Sequence, residues 1–416
     1  MPNKKILLLC WDFPPNEGIG GRRWAKMAKW LCKLDYELHV IKSSSKNDST
    51  KSAWISDVDS KKITIHNINY FFAVKWLNSL NNTFLGKIKY RLGKVILNYF
   101  SGGTIYDKAI GKEKEILTLA NHLIKQYQIS NLIVTGAPFN LVYYAAKIKE
   151  QNPNIFVIAD YRDPWLLAIN YGMKGLPLER KKVEEEKQNL VFENVDCVTA
   201  PNKFLLEQIK NTYSGSKGIK SKFLELEHAF DPDDYSNLRN DKDNSGTLKI
   251  VYAGSLYMET EAVVKQFIDG IVRFSKENKK SIDVSFYTDD YKGAVKYNQP
   301  GISFLPPIGK DIFNIIQNAD YVLILLAHHN KNFKTTKFFE YLPFQKPYLF
   351  IGTQGYVSEC IEKDELGFVL KDMDIDLTQF LTKHFTGSLK PINLKDISVN
   401  TFAKRVDLLV DVLEKK

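Results

Sequence analysis

Thirteen residues near the end of the chain read Lys337-Phe338-Phe339-Glu340-Tyr341-Leu342-Pro343-Phe344-Gln345-Lys346-Pro347-Tyr348-Leu349. Their pattern predicts an amphipathic helix over Lys337–Pro343 that stops at Lys346-Pro347. The chain then passes straight into the apolar run Tyr348–Ile351, which predicts a buried strand. Lys337 and Glu340 are three residues apart, on one face of that helix at its N-terminal end. A lysine at a helix start suits a phosphate, and a carboxylate suits sugar hydroxyls. A solvent-exposed ion pair on a helix that merely covers a sheet fits the same spacing. The segments that accompany this one separate the two readings.

Short apolar runs alternate with helical patterns along the whole chain, the pattern of βαβ units and mainly parallel sheets. Strands are predicted at Ile6–Trp11, Glu37–Ile41, Leu132–Thr135, Phe156–Ala159 and Cys197–Ala200, with helices at Arg22–Leu34, Lys112–Tyr127, Leu141–Lys149 and Pro177–Asn194. A polar stretch free of periodicity follows, over 231–246. The alternation then restarts, with strands at Leu248–Ala253, Asp283–Tyr287, Ile302–Leu305, Tyr321–Leu326 and Tyr348–Ile351. Helices are predicted between them at Ala262–Asn278, Asp311–Asn318 and Lys337–Pro343. The expected fold class is α/β: two doubly wound Rossmann-like domains facing each other across a cleft. Residues 1–230 form the first, on the acceptor side, 231–246 a linker, and 247–395 the second. The pattern of the last helix, within 396–416, allows packing on either domain, including back onto the first.

A chain of 416 residues exceeds the size of a single growing core, which also favours two domains. The four cysteines, Cys10, Cys32, Cys197 and Cys360, are widely spaced. That excludes a disulfide framework and a zinc motif, and fits a reducing compartment. The apolar run near the start is short and ends at Asp12 and Pro14-Pro15, which favours a first strand over a signal peptide. No apolar stretch is long enough to span a membrane. The net charge of +10 is lopsided. Residues 1–106 hold 17 Lys and Arg against seven Asp and Glu, whereas the remainder is balanced at 41 to 41. Asn67–Tyr106 contains no acid, and Lys87, Lys89, Arg91 and Lys94 alternate there with aromatic and aliphatic residues. Such a mixture suits an anionic membrane surface. A solvated face on an inward-packing helix fits as well. No nucleic-acid motif accompanies the charge.

Three further segments follow predicted strands, and one histidine stands apart. Gly18-Ile19-Gly20-Gly21-Arg22-Arg23 lets backbone amides approach a ligand closely, with one of the two arginines facing solvent. Asp160-Tyr161-Arg162-Asp163-Pro164-Trp165 places two acids around an arginine, with Trp165 as a flat surface for a sugar ring. A structural Arg–Asp pair closing a loop is the competing reading. Val251–Tyr257 ends a strand on the small turn Gly254-Ser255, a natural cradle for a diphosphate. His228 precedes the polar stretch and is a weak candidate for the cleft.

Taken in order, these segments resemble the retaining glycosyltransferases of the two-Rossmann-domain (GT-B) architecture, usually called family 4. The glycine loop follows the first strand, and Ala159–Trp165 looks like the family's D-x-R-D-P-W segment. Phe230–Tyr235 looks like its F-D-P-x-D-F segment, Tyr252–Tyr257 like Y-x-G-S-L, and Lys337–Leu349 like K-x-F-E-Y-L-x-x-x-K-P. The resemblance implies transfer of a sugar from a UDP- or GDP-sugar, with retention at the anomeric carbon and without metal or cofactor. It implies that Glu340 holds donor hydroxyls, and that Lys337, Gly254 and Ser255 hold the diphosphate, aided by Gly20, Gly21 and Arg22. Ile308 and Asn332 would complete the donor site, and Asp160, Arg162 and Asp163 would lie near the reacting carbon. The basic apolar segment, rather than the resemblance, suggests a cytoplasmic protein peripheral on the inner face of a membrane, and with it an envelope glycan or lipid-linked acceptor.

The chain departs from the family pattern at three places. Asn332 stands where a second glutamate is common, His228-Ala229 replaces Asn-Gly, and Tyr257–Glu261 is acidic where an Arg and a Lys are usual. Lys334 is a candidate substitute for the missing cations. These departures keep two alternatives in play: a nucleotide-sugar 2-epimerase of the same fold, and a non-catalytic nucleotide-sugar-binding relative.

Overall fold

The structure is a computed structural model that describes residues 4–16, 19–44, 52, 54–77, 83–101, 107–167, 173, 175–236, 238, 246–256, 258–328, 331–389 and 397–415. Gly18, Tyr257 and most of 237–245 lie outside the described residues. The chain divides into two compact units, 1–227 with 402–416, and 228–401.

The first unit is built on a seven-stranded parallel sheet. Its strands are β1 (Lys5–Leu9), β2 (Glu37–Ser43), β3 (Ile63–Ile68), β4 (Asn131–Gly136), β5 (Phe156–Tyr161), β6 (Cys197–Ala200) and β7 (Lys222–Glu225), in the order β3-β2-β1-β4-β5-β6-β7. Leu7, Leu9, Leu132, Val134, Val157 and Ala159 belong to one continuous buried cluster, shared with helices Glu113–Tyr127, Phe139–Gln151 and Leu178–Asn194. The last helix, Phe402–Glu414, belongs to this unit and packs on helix Ile19–Lys33.

The second unit has a six-stranded parallel sheet: β8 (Leu248–Ala253), β9 (Ile282–Tyr287), β10 (Ile302–Leu305), β11 (Tyr321–Leu326), β12 (Tyr348–Gly352) and β13 (Gly367–Leu370), ordered β10-β9-β8-β11-β12-β13. Alternate side chains of its central strands enter opposite cores, as the twofold period of a strand requires. Ile250, Leu323, Leu325 and Leu349 pack with helices Glu261–Asn278 and Met373–Phe385. Val251, Val322, Ile324 and Phe350 pack on the other side with Phe338, Phe339 and helix Tyr356–Lys363. The chain has the two-sheet, doubly wound class expected from its sequence.

Two expectations need correction. The stretch read as a linker begins inside the second unit: Asp231 is buried, and Pro232–Tyr235 is a short 3-10 turn whose Tyr235 ring stacks on Phe313 at 4.9 Å. Stacked aromatics hold it there, where sequence shows only turn formers. The helix expected at Lys337–Pro343 is a short α-helical turn, Thr336–Glu340, followed by a 3-10 turn at Leu342–Phe344. Pro343 lacks the amide that would continue the α-helix. So short an element sums few peptide dipoles, and the helix start contributes little that Lys337 itself does not.

Candidate functional site

In an open parallel sheet, ligands bind outside the carboxyl ends of the strands, where the strand order reverses. In the second sheet that point lies between β8 and β11. Gly254 leaves β8 with φ +150, a conformation that side-chain-bearing residues rarely adopt. A Cβ at this glycine would lie 1.8 Å from the Lys337 ammonium nitrogen, so the lysine occupies the space that glycine leaves. Lys337 Nζ donates to the Tyr252 hydroxyl at 3.2 Å and sits 4.9 Å from its ring centre. The Tyr252 hydroxyl in turn donates to the Ser255 carbonyl at 2.7 Å. Tyr341 fixes the helix to β8: its hydroxyl accepts from the Ala253 amide at 3.0 Å and donates to the Ala253 carbonyl.

Among the described residues, no carboxylate lies within ion-pair distance of Lys337. Burial pushes its pKa from the ordinary 10.5 down to about 8, with Asp289 at longer range pulling the other way. A desolvated ammonium with only neutral contacts is a site prepared for an anion. Glu340 is half-buried on the same turn, and its backbone carbonyl accepts from the Tyr235 hydroxyl at 3.0 Å. Gly254, Ser255 and Lys337 are therefore brought together, and Tyr252 and Tyr341 join them. Tyr252 and Tyr341 had no predicted role, although both fall inside the quoted segments.

The remaining donor-side residues are placed differently. The Asn332 side-chain carbonyl accepts from the Tyr356 amide at 3.2 Å, capping the start of helix Tyr356–Lys363. Ile308 lies half-buried in the loop after β10. Lys334 stands 5.4 Å from the ring centres of Phe338 and Tyr356. His228 meets Phe339 edge-to-face.

In the first unit the acid–arginine segment is wired inward. Asp160 has no exposed surface, and four donated hydrogen bonds converge on its carboxylate: Trp24 Nε1 and Thr199 Oγ1 at 2.8 Å each, and Arg23 at 3.2 and 3.4 Å. Arg23 also donates to the carbonyls of Leu226 and Glu227. Both arginines of the glycine loop are buried, contrary to the expectation that one faces solvent. Arg23 is held by Asp160, and Arg22 lies over the Trp54 ring at 4.6 Å. Trp165 is likewise in the core, stacked on Phe139 and donating to Glu184, so it offers no face to a sugar.

Arg162 is only part-buried and donates to the carbonyls of Gly136 and Ala137. A Cβ at Gly20 would stand 2.5 Å from its guanidinium, so Gly20 and Arg162 are in contact. Gly21 packs against the Asp12 carbonyl, where a Cβ would come within 2.0 Å. These two glycines serve close packing inside the unit. Asp163 is half-buried beside Arg162 in sequence.

No protein-family model and no curated protein matches this chain. Its fold is similar to solved structures along nearly its whole length. One is a glycosyltransferase from Rickettsia africae ESF-5, at 14% identity over 99% of this chain and 98% of that chain, with a TM-score of 0.59. A second, from E. coli and described as trehalose-6-phosphate bound with UDP-2-fluoro glucose, aligns at 11% identity over 99% of both chains, TM-score 0.63. A third, the α,α-trehalose 6-phosphate synthase of Burkholderia multivorans, aligns at 9% identity over 100% of this chain and 99% of that chain, TM-score 0.60. The likeness establishes the architecture of two Rossmann-like units, the GT-B fold.

Two outcomes follow from the geometry. Asp160→Asn removes the charge that compensates buried Arg23, and should lower unfolding free energy by about 3–5 kcal/mol in urea titration. A loss below about 1 kcal/mol would show that the network does not hold the unit. The lowered pKa of Lys337, about 8, means that its charged form, the form that attracts an anion, is only half populated near pH 8 and complete well below it. Affinity for UDP should therefore fall as pH rises through 8, and binding near pH 8 should take up protons in calorimetry across buffers. In the empty protein the unfolded lysine holds its proton up to a higher pH, so stability should rise from pH 8 towards 10. UDP affinity independent of pH over that window would remove Lys337 from the site.

Proposed function

We propose that the protein is a glycosyltransferase that moves a sugar from a UDP- or GDP-sugar to a glycan or lipid-linked acceptor, with retention and without a metal. The observation that carries this reading is the Lys337 ammonium lying over Gly254 at the carboxyl end of β8, with no carboxylate in contact among the described residues. The similarity to a glycosyltransferase fold supports it, as does a structure of that fold described as holding a UDP-sugar analogue.

Chemically, breaking the bond to a nucleoside diphosphate develops negative charge on the leaving group and positive charge on the anomeric carbon. A fixed cation aimed at the diphosphate lowers that barrier, most effectively where water is excluded. Lys337 supplies the cation, and Tyr252 fixes its position. Gly254 leaves the backbone bare, so phosphate oxygens approach the turn closely. Glu340 has acceptor oxygens for donor hydroxyls, which orients the sugar. Arg162 and Asp163 are the candidates in the first unit for groups that act on the sugar, and Asp160, closed off by Arg23, Trp24 and Thr199, supports the strand end from which that segment leaves. No covalent nucleophile is required.

Incubation with a panel of UDP- and GDP-sugars tests the reading. Free nucleoside diphosphate with retained stereochemistry in the product is the expected result. A new sugar epimer would assign the protein to the 2-epimerases, and binding without turnover to non-catalytic relatives. Glu340→Ala should lower turnover at least tenfold, about 1.4 kcal/mol of transition-state stabilisation. Wild-type rates in that variant would remove Glu340 from the donor site. Chelators should leave the rate unchanged, and a metal requirement would overturn the metal-independent mechanism.

A further inference from the structure

Between β3 and the crossover helix Glu113–Tyr127, the first unit carries a helix pair, Phe72–Leu77 and Phe84–Ser101. The longer helix is fixed along one side. Gly86, Gly93 and Leu97 are buried, and Gly93 packs so closely that a Cβ there would lie 2.9 Å from the Ala73 carbonyl. Leu97 joins the main core. That side satisfies the fold.

The opposite side is unusual. Phe84, Leu85, Ile88, Leu92, Val95 and Tyr99 are all exposed, with Phe84 at 79% and Tyr99 at 84%. On a helix of about 3.6 residues per turn these six fall within one arc of roughly 100°. Lys87, Arg91 and Lys94 line one edge of the arc, Lys89 borders the other, and all four are exposed. No acidic residue occurs anywhere in 67–106. The outward surface is thus an apolar strip with cationic margins, on a helix whose structural contacts are already made.

We propose that this strip docks the protein onto the surface of a bilayer containing anionic phospholipid. Charge complementarity selects that occupant. Apolar side chains at the centre of the face enter the acyl boundary while Lys and Arg at its margins meet phosphate headgroups. A second copy of the chain pairing through the same face would bring two cationic rows together. A nucleic acid would leave the apolar centre uncovered. Among the described residues no helix is long and apolar enough to cross a membrane, so contact through this helix would be peripheral. None of these residues belongs to the proposed donor site, and the inference stands or falls separately from the transferase reading.

Co-sedimentation of the full chain with phosphatidylcholine vesicles, with and without phosphatidylglycerol, tests it. The wild type should partition onto the anionic vesicles and hardly onto neutral ones. Neutralising Lys87→Gln, Arg91→Gln and Lys94→Gln together should weaken partitioning on the order of a hundredfold at low salt. Leu85→Ser, Leu92→Ser and Val95→Ser together should weaken it at least tenfold at any salt concentration. Thermal unfolding should match wild type in both variants. Should either fail to fold, Val95→Asp alone carries the same expectation. Failure of the wild type to bind anionic vesicles, or undiminished binding by the variants, would overturn the proposal. So would a wild-type dimer in sedimentation velocity that the apolar variant dissociates.

Discussion

A parallel strand reaches its neighbour only through a crossover, so all carboxyl ends in each sheet fall along one edge. Both sheets here are wholly parallel, and their order reverses next to β1 and next to β8. The loops leaving β1, β4, β8 and β11 therefore diverge from those reversals and leave room for a ligand. At β8 the sequence fills that place with a glycine in a backbone geometry few other residues tolerate, and with a lysine where its side chain would be. The position of the cation follows from the topology and from one missing methyl group.

Two charged centres sit at strand ends, and they differ in how their charge is met. The Asp160 carboxylate accepts four hydrogen bonds and pairs with Arg23. Such a centre is worth much to the fold if intact and is costly to break, but it has little capacity left for a ligand. Lys337 has a phenol hydroxyl and an aromatic face, both neutral, and its pKa is depressed because burial is not offset by a close counter-charge. An incoming diphosphate would supply that counter-charge. The two share a type of position and not a type of role.

The central strands were readable because burial on both faces makes them continuous apolar runs. Cys197–Ala200, Leu248–Ala253 and Tyr321–Leu326 have the bounds the sequence predicts, and so does one edge strand, Ile302–Leu305. Three edge strands, β3, β7 and β13, were not readable. They are half-exposed; Ile63-Thr64-Ile65-His66-Asn67-Ile68 and Lys222-Phe223-Leu224-Glu225 present neither an apolar run nor a clean alternation, and in Gly367-Phe368-Val369-Leu370 the apolar run is only three residues long. At the candidate site, the Lys337 segment and Gly254-Ser255 were legible from residue type and spacing. The partners of Asp160 were not, because Arg23, Trp24 and Thr199 lie 137, 136 and 39 residues away. Spacing rules act within one element, and nothing local marks that both adjacent arginines are buried or that Arg23 is the one held by Asp160.

The excess positive charge of the first quarter takes on a different meaning once burial is known. Arg22, Arg23, Lys26 and Lys42 are all internal. Lys26 pairs with Asp57 at 2.9 Å, and Lys42 donates to Asn16, Asn67 and the Ser43 carbonyl. These cations contribute to packing and hardly to the surface field, whereas those on Phe84–Ser101 are fully outward. A crossover needs only about a dozen residues, yet the chain runs from Ile68 to Asn131 before the sheet resumes. The crossover helix Glu113–Tyr127 already meets that need, so the sheet does not require the helix pair. An addition whose inner side completes a core and whose outer side exposes six large apolar residues is poorly explained by stability alone. Water disfavours that surface, and contiguous apolar patches on soluble proteins mark contact sites. Its cationic margins specify the sign of what it meets.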